Sequence, residues 1–165
     1  MDKRSESALA KVNPALAEKV RAAADGLAAS GTFLLVVSGL RTAAEQDALY
    51  AQGRSAPGHI VTNARAGYSM HNYGLAVDVV PYLSGSSGQL NWRANTAQFR
   101  AMVAALEAQD LIWGGSWKSL PDDDHFQMPG VPVTPNAAML ADYKKGEADS
   151  LAAIWKKVAG GAYTA

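Results

Sequence analysis

Two stretches of the chain carry residue types that can do chemistry. In Ser69-Met70-His71-Asn72-Tyr73-Gly74-Leu75-Ala76-Val77-Asp78, a histidine precedes a turn glycine, and an aspartate follows within an apolar run. Further on, Asp122-Asp123-Asp124-His125-Phe126-Gln127 sets a second histidine at the head of another apolar segment. Two imidazoles and one carboxylate are a sufficient set for catalytic zinc, which keeps its fourth position for water. A carboxylate inside an apolar strand is costly unless something pairs with it, and a bound dication would cancel that charge. Either histidine alone reads as an ordinary surface or hydrogen-bonded residue; with Asp78 they form a candidate ligand set. His59, in a Pro-Gly loop, lacks such support and reads as solvent-facing.

Composition narrows the chemistry. With 165 residues the chain fits one domain, since domains hold roughly 100–200 residues. It has three histidines and no cysteine, which excludes disulfides, thiolate metal sites and a cysteine nucleophile together. Fifteen basic and fifteen acidic residues cancel, so no net field draws the protein to nucleic acid or anionic membrane. The N-terminus Met1-Asp2-Lys3-Arg4-Ser5-Glu6 lacks the apolar run of a secretory signal. The most apolar stretch, Phe33 to Val37, is far short of the roughly 20 residues that cross a bilayer. A soluble monomer made in the cytoplasm, with no membrane insertion and no nucleic-acid partner, is the expectation.

The elements that must position these residues are legible in outline. Asn13-Pro14 opens a helix with Leu16, Val20, Ala24 and Leu27 on one face. Phe33 to Val37 reads as a buried strand delivering Ser38, Gly39 and Arg41 at its end. Thr42-Ala43-Ala44-Glu45 is a capping box that starts a helix running to about Gly53. An irregular loop is expected from Arg54 to Ser69, then a strand from Leu75 to Val80 in which Leu75, Val77 and Val79 face one way and Ala76, Asp78 and Val80 the other. Ser84 to Gly88 is a turn, and Asn95 or Thr96 caps a helix with Phe99, Met102, Val103 and Leu106 as its apolar stripe. Leu111 to Trp113 and His125 to Met128 read as two short strands, and helical pattern returns at Asn136 to Tyr143 and Asp149 to Val158. The class implied is α+β, a small antiparallel sheet with helices around it in a single domain. A catalytic core over 1–128 and a helical extension over 129–165, packed on the same domain, are expected.

The pattern Ser-x-His-x-x-Gly-x-Ala-x-Asp at Ser69 to Asp78, with Asp-x-x-His-Phe at Asp122 to Phe126, resembles the D-alanyl-D-alanine carboxypeptidase family of zinc peptidases. Within that family the chain is most similar to the L-alanyl-D-glutamate endopeptidases used as phage endolysins. Ser38-Gly39-x-Arg41 with Gln46, Leu49-Tyr50-x-x-Gly53 and Trp113-Gly114-Gly115-x-Trp117 also match, so the resemblance spans roughly Ser5 to Met128. It implies Zn²⁺ held by His71, Asp78 and His125, with Asp122 as general base and Arg41 as the active-site arginine. Asp123 and Asp124 compete with Asp122 on composition alone; the family spacing favours Asp122, and an extended chain would turn Asp124 away from a metal bound by its neighbour. The chemistry implied is direct hydrolysis: Asp122 takes a proton from water, and Arg41 helps stabilise the oxyanion.

Ser69 has no activating base outside the metal site, so a hydrogen bond to a ligand or to substrate is its expected role. Tyr73, Trp113 and Trp117 are candidates for a substrate groove, with the core as the alternative. Gln46 and Tyr50, on the helix after Arg41, are candidates for positioning it, with a structural role as the default reading. The resemblance implies that the partner is the stem peptide of peptidoglycan, cut between L-Ala and D-Glu by an enzyme that reaches the wall through a holin pore. Two rival readings are a D-Ala-D-Ala carboxypeptidase or dipeptidase with the same metal site, and a non-catalytic peptidoglycan-binding virion protein.

Overall fold

The computed structural model describes residues 1–83, 88–119, 121–145 and 147–164, with the backbone alone for 147–150. Among these residues are six α-helices and a four-stranded antiparallel sheet, so the α+β class expected from the sequence holds. The strands β1 (Leu34–Ser38), β2 (Ala76–Pro81), β3 (Ile112–Trp113) and β4 (His125–Gln127) run in the order β1-β2-β4-β3. The chain divides into two compact units, one of Met1–Gly39 with Ala76–Pro129, the other of Leu40–Leu75 with Gly130–Ala165.

The first unit holds the sheet with helices α1 (Lys3–Leu9), α2 (Pro14–Ala28) and α4 (Ala97–Glu107). Asn13 caps α2 by accepting from the backbone N–H of Ala15 at 2.9 Å, and Pro14 takes the first helical position. Leu16, Val20 and Leu27 of α2 and Phe99, Met102 and Leu106 of α4 are buried, and the two helices pack together. Burying side chains of this size contributes roughly 1.5–3 kcal/mol each. The helix α1 was not anticipated from the charged N-terminus. It is capped by Asp2, whose carboxylate accepts from Ser5 N–H at 2.7 Å. Its buried Ser5 hydroxyl accepts from the N–H of Val36 at 3.0 Å, which satisfies a donor on the edge strand β1.

One expectation for the strands needs correction. Phe33 lies outside β1 and is 59% exposed, so the buried run begins at Leu34. Both faces of β2 are packed: Ala76, Val77, Val79 and Val80 are all buried, and Asp78 is the partly exposed exception. A strand packed on both faces reads as a continuous apolar run.

The second unit holds α3 (Ala43–Ala51), a 3-10 turn over Met70–Tyr73, α5 (Ala137–Tyr143) and α6 (Glu147–Ala159). The capping box is complete. Thr42 Oγ1 accepts from Glu45 N–H at 3.2 Å, and Glu45 Oε2 accepts from Thr42 N–H at 2.8 Å. Met70, Tyr73, Met139, Ile154 and Tyr163 are buried in this unit. Asp142 binds Lys145, Lys157 and Tyr163 together, and these charged and hydroxyl donors hold its carboxyl far below the usual range. The residues after Met128 thus include two helices in the unit that also contains Leu40–Leu75. The Ser84 to Gly88 turn falls, apart from Gly88, outside the described residues.

Candidate metal centre

The sheet brings Asp78 and His125 side by side. In the β2–β4 ladder Ala76 pairs with Gln127, Val77 with Phe126 and Asp78 with His125. Across antiparallel strands such partners project to the same face. Asp78 Oδ1 lies 3.4 Å from His125 Nδ1, and His125 Nε2 lies 3.2 Å from Gln127 Oε1, the residue two along on the same strand face. On its other side Asp78 pairs with Ser38 of β1, where a bulge shifts the register after Val36. Bulges of this kind re-aim side chains beside active sites.

Carboxylates crowd this pair. Burial pushes the Asp124 carboxyl up to about 7, helped by the charge of Asp78 and a hydrogen bond with Asp122. For His125, burial disfavours the charged ring, but the hydrogen bond and charge of Asp78 outweigh it and hold the ring above its ordinary value. Asp122 and Asp123 are exposed, whereas Asp124 is half-buried beside Asp78, so the acidic stretch is not uniformly solvated.

The loop before β4 is tightly held. Asp122 N–H donates to Gly114 O at 3.2 Å, His125 N–H to Asp122 O at 3.3 Å, and Val79 N–H to Asp124 O at 2.8 Å. Gly114 has no room for a side chain: a Cβ would sit 2.8 Å from Asp122 O and 3.0 Å from His125 Cβ. Trp113 donates its indole N–H to Asp123 O at 2.7 Å. Trp117 lies with its ring 5.0 Å from that of His125, and its buried indole N–H has no partner among the described residues.

His71 is placed by a different device. It sits in the 3-10 turn, where Ser69 Oγ accepts from its N–H at 3.4 Å and Gly74, at φ 61°, reverses the chain. The left-handed conformation at Gly74 is one that a side chain would resist. The carbonyl of His71 accepts from Arg41 N–H at 3.0 Å, and the buried Asn72 amide donates to Arg41 O at 2.9 Å while accepting from Gly67 N–H at 2.9 Å. Arg41 Nη1 donates to Gln46 Oε1 at 2.9 Å, and Gln46 Nε2 donates to Ala64 O at 2.7 Å. Gln46 therefore links the Arg41 side chain to the Ala64 backbone. Tyr50 instead lies under the guanidinium groups of Arg54 and Arg65, at 4.1 and 4.8 Å.

One ligand atom from each of His71, Asp78 and His125 falls within 4.8 Å of the others. The donor chemistry suits a divalent cation. Donors on a tetrahedral zinc, with bonds of roughly 2.0–2.2 Å, lie roughly 3.3–3.6 Å apart, and the Asp78–His125 separation of 3.4 Å matches. The excess of carboxylates at the site supplies negative charge that a dication would balance. His71 and His125 are buried at 3% and 6% exposure, as ligands held by their surroundings should be.

Among the other expected site residues, Ser69 is partly buried and caps the turn that carries His71. Trp113 and Trp117 are partly exposed and stay candidates for contact with substrate. Tyr73 does not: its ring is fully buried and its hydroxyl donates to Gly67 O at 2.9 Å, so it is a core residue. His59 is exposed. Asn72 and Gln127, both buried, were missed by sequence reasoning. Their signal was a polar residue one or two positions from a candidate ligand, inside otherwise apolar surroundings.

Fold and donor set together define a class, an α+β protein with a His-Asp-His group that could bind a metal. Comparison with known proteins sharpens it. Residues 62–128 match the family model described as D-alanyl-D-alanine carboxypeptidase. The chain is 36% identical over 119 residues, 68% of each protein, to the peptidoglycan L-alanyl-D-glutamate endopeptidase CwlK of Bacillus subtilis. It is also similar to the crystal structure of the Serratia marcescens L-Ala D-Glu endopeptidase ChiX, with a TM-score of 0.54 and 27% identity over 78% of this chain and 88% of that one. The chain belongs to the D-alanyl-D-alanine carboxypeptidase family of metallopeptidases.

Proposed function

We propose that the chain is a zinc-dependent peptidoglycan endopeptidase that cuts stem peptides between L-Ala and D-Glu. The observation that carries the metal chemistry is the convergence of His71, Asp78 and His125. The substrate follows from the activity that both relatives carry in their names.

In this reading His71, Asp78 and His125 are the ligands, and a bound zinc would supply Lewis acidity and an acidified water at its open position. Gln127 and Asp78 fix the plane of the His125 ring, Gln127 from the side of Nε2. Asp122, exposed at the end of the anchored loop, removes the proton from the attacking water and returns it to the leaving amine. General acid–base work of this type contributes about 10²–10⁴-fold. Arg41, oriented by Gln46, presents a fixed guanidinium to the developing oxyanion. Trp113 and Trp117 flank the path of the peptide, and Ser69 acts through the turn that it caps.

Digestion of purified sacculi followed by mass spectrometry tests this reading. New C-terminal L-Ala and N-terminal D-Glu are expected. Release of free D-Ala would support a carboxypeptidase, the activity in the family description, and overturn the endopeptidase assignment. The narrower reading, a phage lysis enzyme acting as a monomer after passage through a holin pore, rests on resemblance. It is tested by expressing the chain with and without a holin: lysis only with the holin supports it, and lysis without one contradicts it. No helix among the described residues is long and apolar enough to cross a membrane.

A further inference from the structure

The 3-10 turn that carries His71 ends at Tyr73, and the carbonyls at the end of such a turn need partners from outside it. For Tyr73 that partner is distant in sequence: Trp155 of α6 donates its indole N–H to Tyr73 O at 2.7 Å. The Tyr73 ring packs against Tyr143 of α5, with centroids 5.1 Å apart. At the other end of the segment, Gly67 accepts from the Tyr73 hydroxyl and donates to the Asn72 side chain. Gly67 is also covered by α5. A Cβ there would meet Leu140 Cδ2 at 3.2 Å and the Tyr143 ring at 3.5 Å. The two helices are fastened by Asp142, which binds Lys157 of α6 and Tyr163 beyond it. Helices α5 and α6 therefore grip both ends of the Gly67–Gly74 segment, and both lie beyond residues 62–128 that match the family model.

We infer that α5 and α6 form a clamp that sets the position of His71, with Trp155 as the positioning residue. The inference rests on the metal reading above insofar as it concerns ligand geometry. Its physical basis is specific. Tyr73 is fully buried, so its carbonyl has no water to replace the indole donor, and loss of that donor frees the turn two residues from His71. The clamp acts on the ligand held by a turn; Asp78 and His125 are held by the strand ladder.

The test compares Trp155→Phe, which keeps an aromatic ring and removes the N–H, with Asp142→Asn, which loosens the same helices without touching the turn. Hydrogen exchange on the metal-free full chain reads the backbone directly. Asn72 N–H and Gly74 N–H, bonded to Ser69 O and His71 O, should exchange about tenfold faster in W155F and by a clearly smaller factor in D142N. Titration with zinc should show about tenfold weaker binding in W155F, the loss expected of an outer partner of a ligand, and a smaller loss in D142N, and the visible spectrum of cobalt-loaded W155F should shift. Should W155F fail to fold, benzothienylalanine at position 155, which keeps the indole shape without the N–H, carries the same expectation. Wild-type exchange and zinc affinity in W155F would overturn the inference. So would equal losses in both variants at matched melting temperature. A wild-type chain that takes up no zinc would overturn the metal reading, while the exchange comparison would still decide the clamp.

Discussion

The three proposed ligands fall into two regions built on different principles. Asp78 and His125 face each other because two strands share a register, and shifting that register by one residue would put the two side chains on opposite faces. Many apolar neighbours oppose such a shift: Val77, Val79 and Phe126 are fully buried on the same strands. His71 has no ladder. Its place depends on a capping serine, a left-handed glycine, the Asn72 amide and the backbone of Arg41. A register is shared by many residues, whereas each bond of a polar network is a single point of failure. Substitution near the strands should therefore cost stability before geometry, and substitution near the turn should cost geometry first.

The largest effect should come from the strand pair itself. His125→Ala, or Asp78→Asn, should abolish stoichiometric metal binding and with it hydrolysis, measured by metal analysis after gel filtration and by sacculus digestion. Next, Asp122→Ala should lower kcat by about 10²–10⁴-fold while metal content stays at the wild-type level. Retained activity would remove Asp122 from its role and leave the half-buried Asp124 as the rival carboxylate.

Asn72→Ala sharpens the comparison most. It removes the side-chain oxygen that accepts from the buried Gly67 N–H and the donor to Arg41 O, which should cost about 1–3 kcal/mol in urea unfolding and weaken zinc binding more than an equally destabilising change in the strands. Val77→Ala is the matched control: about 1–3 kcal/mol of stability lost to the cavity, with zinc affinity little changed. If the two variants lose affinity equally, turn and ladder are not different in kind.

The smallest effect concerns acid stability of the second unit. Lys157, Lys145 and Tyr163 hold the Asp142 carboxyl well below its ordinary value. A depressed folded value means that the contribution is complete above the unfolded pKa of about 3.9 and fades as pH falls through the folded one. Asp142→Asn should therefore lower the melting temperature at pH 6 and 5, and the gap to the wild type should narrow below about pH 4.

Much of the candidate site was legible because its residues stand out by type. His71, Asp78 and His125, set in apolar or glycine-marked surroundings, are the group that the fold brings within reach of one ion. The helices at Asn13, Thr42 and Thr96 were legible because capping is local chemistry. What escaped was decided by long-range packing. The exposure of Phe33 depends on where β1 ends, and α1 is stabilised by a cap at Asp2 and by Ser5 meeting β1, contacts that periodicity does not register. Tyr73 looked like a groove residue because it sits beside a ligand, but its burial is set by α5 and α6, far along the chain. Asn72 and Gln127 were hidden because polar residues beside a ligand look like ordinary neighbours until their partners are placed.

X-ray absorption at the zinc edge on the stoichiometrically loaded wild-type chain is the most direct test of whether His71, Asp78 and His125 share one cation. One zinc per chain, with a first shell of two imidazole nitrogens and oxygens from one carboxylate and solvent, is the expected spectrum, changing to one imidazole in His71→Ala. A shell of oxygens alone, or a spectrum that His71→Ala leaves unaltered, would contradict it.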